Sequence, residues 1–209
     1  IYTSGDTLSL HDALPIYIQS EIVIPEKVTY NRTEYSVTTI GEYAFSYCSS
    51  LTSITISNSV TTIEWLAFYR CSSLVEVNIP SSVTTIIERA FHCCQSLEAI
   101  NVDENNESYS SEDGILFTKN KETLICYPAG KTETNYNIPT SVTSIGDSAF
   151  AYCNSLTNIV IPESVTSIEE RAFSSCDSLT IYCEIASQPD SWSIAWNPFN
   201  RPVVWNYNE

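Results

Sequence analysis

The chain of 209 residues has no methionine, only two histidines, and only nine lysines and arginines against 25 acidic residues. The resulting formal net charge of −16 repels nucleic-acid backbones and anionic membrane surfaces, so neither is an expected partner. No hydrophobic run reaches the length of a membrane span, and we expect no membrane insertion. The absence of methionine even at position 1 indicates a fragment of a longer protein, so that an export signal could precede Ile1.

The same scarcities argue against an enzyme. A Ser-His-Asp or Cys-His unit would depend on His92, because the other histidine, His11, lies in an atypical leader. Other residue types take the place of His92 in equivalent segments, which is typical of surface variation. Acidic pairs such as Asp103-Glu104 fit a solvated edge or a weak calcium site better than a glycosidase pair, which needs a cleft. No glycine-rich phosphate loop is present, and we expect no catalytic residue, no metal and no cofactor.

What the chain does have is a block that recurs every 23 residues, first seen as Ser36 to Ile56. A repeat of this length cannot bury its own apolar face, so it must stack on its neighbours and build a solenoid. The interval holds within the first three and within the last two of each series: the valines Val37, Val60, Val83, Val142 and Val165, and the phenylalanines Phe45, Phe68, Phe91, Phe150 and Phe173.

Each repeat divides into two extended parts and a connecting part. The alternation Leu51-x-x-Ile54-x-Ile56 predicts a short strand with one side buried, and Val37-x-x-Ile40 predicts a second extended segment. Residues 41–48 have room for one or two helical turns. The pattern therefore predicts an α/β fold that is rich in β-structure, with coils made of strand, turn, strand and short helix.

The presence or absence of the 23-residue repeat divides the chain into stretches with different expected roles. Residues 1–17 lack the repeat. They are either non-native, since they resemble translated sequencing-adapter text, or an ordinary helical leader. We divide the remainder, the solenoid over 18–209, into an N-terminal cap hairpin at 18–36, regular repeats at 37–102, an enlarged coil with a hairpin at 103–140, regular repeats at 141–183 and a C-terminal cap at 184–209. The inserted hairpin is either a binding feature or a loop that closes a gap in the stack.

Tryptophan is concentrated in the last stretch, as Trp192, Trp196 and Trp205. Large aromatic side chains over the last open coil are typical of a C-terminal cap. A platform on which carbohydrate stacks is the alternative interpretation of the same three residues.

Five of the eight cysteines lie three residues after the repeat phenylalanine, which predicts a ladder of buried reduced thiols. Disulfides between coils are the alternative, but parallel side chains would keep the Cβ atoms wider apart than the bond prefers. Zinc is disfavoured because no converging Cys-x-x-Cys pair occurs. Cys93 is expected to point away from Cys94 and to be exposed. The ladder comprises Cys48, Cys71, Cys94, Cys153 and Cys176.

The motif Val-Thr-x-Ile-x-x-x-Ala-Phe-x-x-Cys-x-Ser-Leu-x-x-Ile-x-Ile-Pro resembles the BspA-like leucine-rich-repeat family. The Asp-Gly-Ile-Leu-Phe hairpin and the Trp-Asn-x-x-x-Arg-Pro-Val-Val-Trp ending are similar to it as well, so the resemblance covers roughly residues 18–207. It implies a right-handed solenoid on surface-exposed or secreted proteins of host-associated bacteria and some protists, some of which act as adhesins. Trp65-Leu66 and Ile87 depart from the family pattern.

If the strand leucines and isoleucines face inward, the residues between them form a flat polar strip that faces outward. Three hypotheses follow: a recognition or adhesion module, a passive spacer, and the non-catalytic part of a larger secreted enzyme. Expected partners of the first are host matrix or surface glycoproteins, or other microbial surface proteins. The candidate binding residues are Ser53, Thr55, Glu76, Asn78, Ala99, Asn101, Asn158 and Val160.

Overall fold

The computed structural model describes residues 19–208 as a solenoid of short strands. The predicted leader, 1–17, falls outside the described residues. The strands are β1 Glu21–Val23, β2 Lys27–Tyr30, β3 Thr33–Ser36, β4 Thr39–Ile40, β5 Ser53–Thr55, β6 Thr62–Ile63, β7 Glu76–Ile79, β8 Thr85–Ile86, β9 Ala99–Val102, β10 Tyr109–Glu112, β11 Ile115–Thr118, β12 Thr123–Cys126, β13 Asn135–Asn137, β14 Ser144–Ile145, β15 Asn158–Ile161, β16 Ser167–Ile168, β17 Thr180–Cys183 and β18 Val203–Trp205.

Parallel strands from successive coils form two four-stranded sheets. The N-terminal sheet has the order β1-β5-β7-β9, and the C-terminal sheet has the order β13-β15-β17-β18. The short second strands form a three-stranded sheet, β4-β6-β8, and in the C-terminal half β14 and β16 join β10, β11 and β12 of the enlarged coil in a five-stranded sheet, β10-β11-β12-β14-β16. Paired strands in neighbouring regular coils are offset by 23 residues, as in Ile54 with Val77, or by 22 between β15 and β17, so the solenoid prediction is confirmed.

Stacked phenylalanine rings form the axis of the core. The ring centroids of Phe45 and Phe68 lie 5.3 Å apart and those of Phe68 and Phe91 lie 5.4 Å apart, with the planes nearly parallel. Phe150 and Phe173 stack in the same way at 5.2 Å. The buried apolar residues form two clusters, which meet at the enlarged coil.

The predicted short helices are wrong, because residues 19–208 contain only strands, turns and bends. Amides in the 41–48 segment bond to the next coil: Phe45 N–H donates to the Ala67 carbonyl and Tyr47 N–H to the Tyr69 carbonyl, each at 2.8 Å. These amides are therefore unavailable for i→i−4 bonds. The residues two positions before and after each repeat phenylalanine also have positive φ, which a right-handed helix excludes: Tyr43, Tyr47, Leu66, Arg70, Arg89, Cys93, Ser148, Tyr152, Arg171 and Ser175.

The enlarged coil between β9 and β13 divides the solenoid into an N-terminal half and a C-terminal half. It interrupts the stacks of first strands and of second strands. β11 and β12 form an antiparallel hairpin, and β12 then pairs in parallel with β14. The turn before β11 closes the open edge of β9, since Ile100 N–H donates to the Gly114 carbonyl at 2.8 Å. Gly114 has φ +76°, and a Cβ there would lie 2.8 Å from the Ala99 Cβ. Only glycine fits between this turn and the sheet edge.

The two ends of the described chain are closed differently. At the N-terminal end, β2 and β3 form an antiparallel hairpin. At the other end, Trp196 packs edge-on against Phe173 at 5.7 Å, and Trp192 packs against Trp196 at 5.0 Å. Trp192 and Trp196 are 3% and 4% exposed, which leaves neither ring face free to stack on a sugar. The carbohydrate-platform interpretation is therefore wrong for these two side chains. Trp205, the third tryptophan of that interpretation, is half-buried, and its role stays a prediction.

We predict that Phe68→Ala lowers the free energy of unfolding by about 3–5 kcal/mol, because it removes a fully buried ring that is stacked on both sides. Urea denaturation followed by circular dichroism measures the change. Phe199→Ala, at a side chain that is 56% exposed, is the control and should change stability by less than about 0.5 kcal/mol. Equal losses in the two variants would contradict the role of the ring stack.

Candidate functional site

The outward residues of the N-terminal sheet form two aligned rows. In the first row, Thr55 pairs with Asn78, which pairs with Asn101. In the second row, beside it, Ser53 pairs with Glu76, which pairs with Ala99. We call these residues the polar strip: Ser53, Thr55, Glu76, Asn78, Ala99 and Asn101. They are brought together because each strand of the sheet adds one residue to each row.

The strip is not uniformly exposed. Ser53, Thr55, Glu76 and Asn78 are exposed, whereas Ala99 and Asn101 are half-buried. The Gly114 turn adjoins Ala99. The Asn101 Nδ2 amide donates to Glu76 Oε1 at 2.8 Å and to Asn78 Oδ1 at 3.3 Å, so the middle of the strip is hydrogen-bonded from strand to strand.

Asn158 and Val160, the other two predicted binding residues, lie on β15 in the C-terminal sheet. Both are half-buried. Asn158 Nδ2 donates to Asn135 Oδ1 at 2.6 Å, which reproduces on this sheet the amide pairing of the polar strip. The eight candidates therefore belong to two sheets, separated by the enlarged coil.

A groove of about 350 Å³ lies where β5, β7 and β9 end. One part of its wall is polar, with Thr55, Asn78 and Asn101, and another part is apolar, with the half-buried Pro80 and Val102. The repeat pattern predicts the three polar residues but carries no signal for a concave surface.

Asp103 completes the polar part of this groove, immediately after β9. Its Oδ1 atom accepts hydrogen bonds from Asn105 N–H at 2.8 Å and from Asn105 Nδ2 at 3.1 Å. The carboxylate is thereby held in one orientation. In the sequence, Asp103 stands out only as part of an acidic pair, although its position directly after a predicted strand is a signal for this site.

A row of aromatic side chains, which was not predicted from the sequence, crosses the turns. Tyr47 contacts Tyr69 at 5.4 Å between ring centroids, Tyr69 stacks on His92 at 6.0 Å, and His92 contacts Tyr152 at 5.5 Å. The Arg70 guanidinium lies 5.4 Å from the centroids of both Tyr47 and Tyr69. The row forms because consecutive coils place rings one above another.

His92 was expected to be a freely varying surface residue, but it is half-buried in this row. It also lines a cavity of about 30 Å³ between the two halves of the solenoid. Burial, together with the nearby Arg89, lowers the pKa of His92 from 6.5 to about 4. Arg89 itself forms a bidentate ion pair with Asp147, at 2.7 and 2.5 Å, which joins the halves on this side.

All eight cysteines are free thiols. The Sγ atom of Cys71 donates to the Phe45 carbonyl at 3.1 Å, and that of Cys94 donates to the Phe68 carbonyl at the same distance. Each thiol therefore contacts the coil before it. The expected exposure of Cys93 is wrong, because this side chain is only 7% exposed. Burial raises the pKa of the Cys94 thiol, the neighbouring Cys71 raises it further, and Cys126, which the 23-residue interval does not reach, adds a smaller contribution.

Within residues 19–208, no group of three or more histidine, cysteine or acidic side chains is arranged to hold a metal ion. In the same part of the chain, no helix has the length and hydrophobicity needed to cross a membrane.

A family model described as the BspA type leucine rich repeat region matches residues 19–118 and 127–192 in six copies. No curated protein matches the chain. The solved structure of a leucine rich cell surface protein from Faecalibacterium prausnitzii is 27% identical with a TM-score of 0.55, over 91% of this chain and 60% of that one. A leucine-rich repeat protein from Bacteroides ovatus is 27% identical with a TM-score of 0.50, over 83% of this chain and 52% of that one.

The pneumococcal vaccine antigen PcpA is 18% identical with a TM-score of 0.55, over 90% of this chain and 76% of that one, and this likeness concerns the fold alone. The chain thus spans little more than half the length of the Faecalibacterium and Bacteroides proteins.

We predict that denaturing alkylation without reductant adds eight labels, whereas the native protein at pH 8 is labelled slowly. Burial raises the pKa of Cys48, Cys126 and Cys183 to about 12, so the reactive thiolate is scarce at these three sites. Intact-mass spectrometry counts the labels. Six labels or fewer after denaturation would reveal a disulfide.

A second prediction concerns pH. Because the folded pKa of His92 is about 4 and its ordinary value is 6.5, the unfolded chain binds more protons between these values, and stability must fall as pH drops through this window. Allowing for solvent screening, we expect wild type to lose about 2 kcal/mol more than His92→Phe between pH 7.5 and pH 4. Parallel urea titrations measure both, and identical pH profiles would contradict the assigned pKa.

Proposed function

The chain belongs to the BspA type leucine-rich repeat family, and we propose that it is a non-enzymatic recognition or adhesion module, located on the cell surface or secreted, that binds host or microbial proteins or glycans. Leucine-rich repeats are generally protein-interaction modules, and stacking creates extended surfaces suited to this role. The description of the Faecalibacterium protein as a cell surface protein supports the location.

The observation that carries the proposal is the groove beside the polar strip. A concave surface of about 350 Å³ lies within the range of volumes that ligand pockets occupy, and its wall combines apolar and amide groups. Its strand-to-strand hydrogen bonds hold the amides before a ligand arrives, which reduces the entropy lost on binding. We assign Ser53, Thr55, Glu76, Asn78, Ala99 and Asn101 to the contact surface, with Asn158 and Val160 as a secondary surface on the other sheet.

The same proposal gives the ends of the chain a structural role. The stretch 18–36 shields the first coil with its β2–β3 hairpin, and the stretch 184–209 covers the last coil with buried tryptophans. The coils at 37–102 and 141–183 then carry the binding surfaces, and the stretch 103–140 sets them apart.

We predict that Asn78→Arg combined with Asn101→Arg abolishes binding to whichever component of an immobilised array of matrix glycoproteins, mucins and bacterial surface proteins the wild-type protein retains. The two guanidinium groups would fill the groove and reverse its charge. Changes at the centre of an interface commonly cost more than about 2 kcal/mol, roughly thirtyfold in affinity. Biolayer interferometry measures the loss, and a thermal melt checks that the fold is intact.

The matched control is Asn135→Arg with Asn158→Arg, which places the same change on the corresponding amide pair of the C-terminal sheet. This variant should keep the binding that the polar strip provides and lose at most the smaller contribution of the secondary surface. If it alone loses binding, the secondary surface is the site. If Lys119→Glu with Lys121→Glu alone loses binding, the inserted hairpin is the site. If the wild-type protein retains no component of the array, the passive-spacer hypothesis is favoured.

A further inference from the structure

We propose that the groove receives an arginine or lysine side chain of a partner polypeptide, so that the partner presents a basic segment to the N-terminal sheet. This rests on the proposed function, because it names the chemistry of the partner at the same surface. Three observations support it: the mixed wall of the groove, the sign of the charge beside it and the fixed orientation of its oxygen atoms.

The wall of the groove matches a side chain that is apolar along its stem and charged at its end. Pro80 and Val102, both half-buried, offer apolar contact, while Asn78 and Asp103 offer oxygen atoms in the same concavity. Arginine and lysine bury their methylene stems against apolar surface and keep the charged group among polar partners. A volume of about 350 Å³ leaves room for such a side chain.

The charge beside the groove is negative. Asp103 lines it, and Glu76 lies on the adjacent row, where Asn101 Nδ2 donates to its Oε1 atom at 2.8 Å. None of the chain's nine lysines and arginines is among the described lining residues. The Lys119 ammonium donates to the carbonyl of Glu104, the residue after Asp103, at 3.2 Å. It forms no ion pair with the Asp103 carboxylate. The negative charge beside the groove is complementary to a cationic ligand.

The oxygen atoms are oriented before a ligand arrives. Asn105 holds the Asp103 carboxylate through two hydrogen bonds, and Asn101 holds Glu76 and Asn78. Ionised carboxylates accept hydrogen bonds and cannot donate them, whereas a guanidinium has five donors and no acceptor. Hydrogen bonds between such charged groups are about twice as strong as neutral ones. The arrangement therefore favours an arginine side chain over an acidic or an apolar one.

The test uses a fluorescein-labelled 12-residue peptide of alternating arginine and serine, and the same peptide with every arginine replaced by citrulline. Citrulline keeps the shape of arginine without its charge. Fluorescence anisotropy with the full chain should show binding of the arginine peptide at least about tenfold tighter than binding of the citrulline peptide. Added salt should weaken the binding, because exposed charges are screened beyond roughly 8 Å at 0.15 M ionic strength.

Site specificity is tested with Glu76→Gln combined with Asp103→Asn, which should weaken binding of the arginine peptide by roughly tenfold. The matched control is Glu163→Gln with Glu184→Gln, two exposed carboxylates at the C-terminal sheet whose loss changes the net charge equally. The control should bind like the wild type. Equal weakening in both variants means attraction by overall charge alone and overturns the proposal, as does equal binding of the two peptides or no binding at 1 mM protein.

The two proposals fail in different ways. If an array component binds and Asn78→Arg with Asn101→Arg abolishes it, but the arginine peptide does not bind, the polar strip is a recognition surface and the basic partner is wrong. If the arginine peptide binds in the groove and no array component does, the chemistry of the groove stands and the proposed class of partner is wrong.

Discussion

The whole fold depends on hydrogen bonds that run from each coil to the next. In the segment after the second strand, alternate amides donate to carbonyls one repeat later, as Phe45 does to Ala67 and Phe68 does to Ala90. This forces the residues two positions away into the left-handed region and prevents helix formation. It also sets the coils within each half in the same register, which stacks the phenylalanine rings and aligns the rows of the polar strip.

The enlarged coil determines where a binding site can lie. A continuous solenoid would extend the N-terminal sheet past β9, but the Gly114 turn bonds to the edge of that strand instead. The last strand of the N-terminal sheet therefore lies beside an insertion rather than beside another coil. The groove forms at the ends of β5, β7 and β9, and Asp103, the first residue after β9, contributes its carboxylate.

The repeat interval predicted the buried valines and phenylalanines, because a solenoid repeats the same core contacts in each coil. It failed in the 41–48 segment, where bonds between coils, invisible to a local pattern, replaced the expected helical ones. The repeat interval also did not predict contacts that a different residue type makes in the enlarged coil. Asn106 is fully buried and donates to the Val83 carbonyl at 2.9 Å, whereas in a regular coil Ser82 donates to the Val60 carbonyl. The groove depends on how the ends of three strands and the residue after β9 meet in space, which the repeat spacing does not reveal.

The most direct measurement of the central claim is amide hydrogen exchange by NMR at the turns. If alternate amides bond between coils, Phe45, Tyr47, Phe68 and Arg70 should exchange as slowly as amides in the strands of the N-terminal sheet, since only separation of coils exposes them. Fast exchange at these four amides, with the strands still protected, would contradict the claim that bonds between coils hold the fold together.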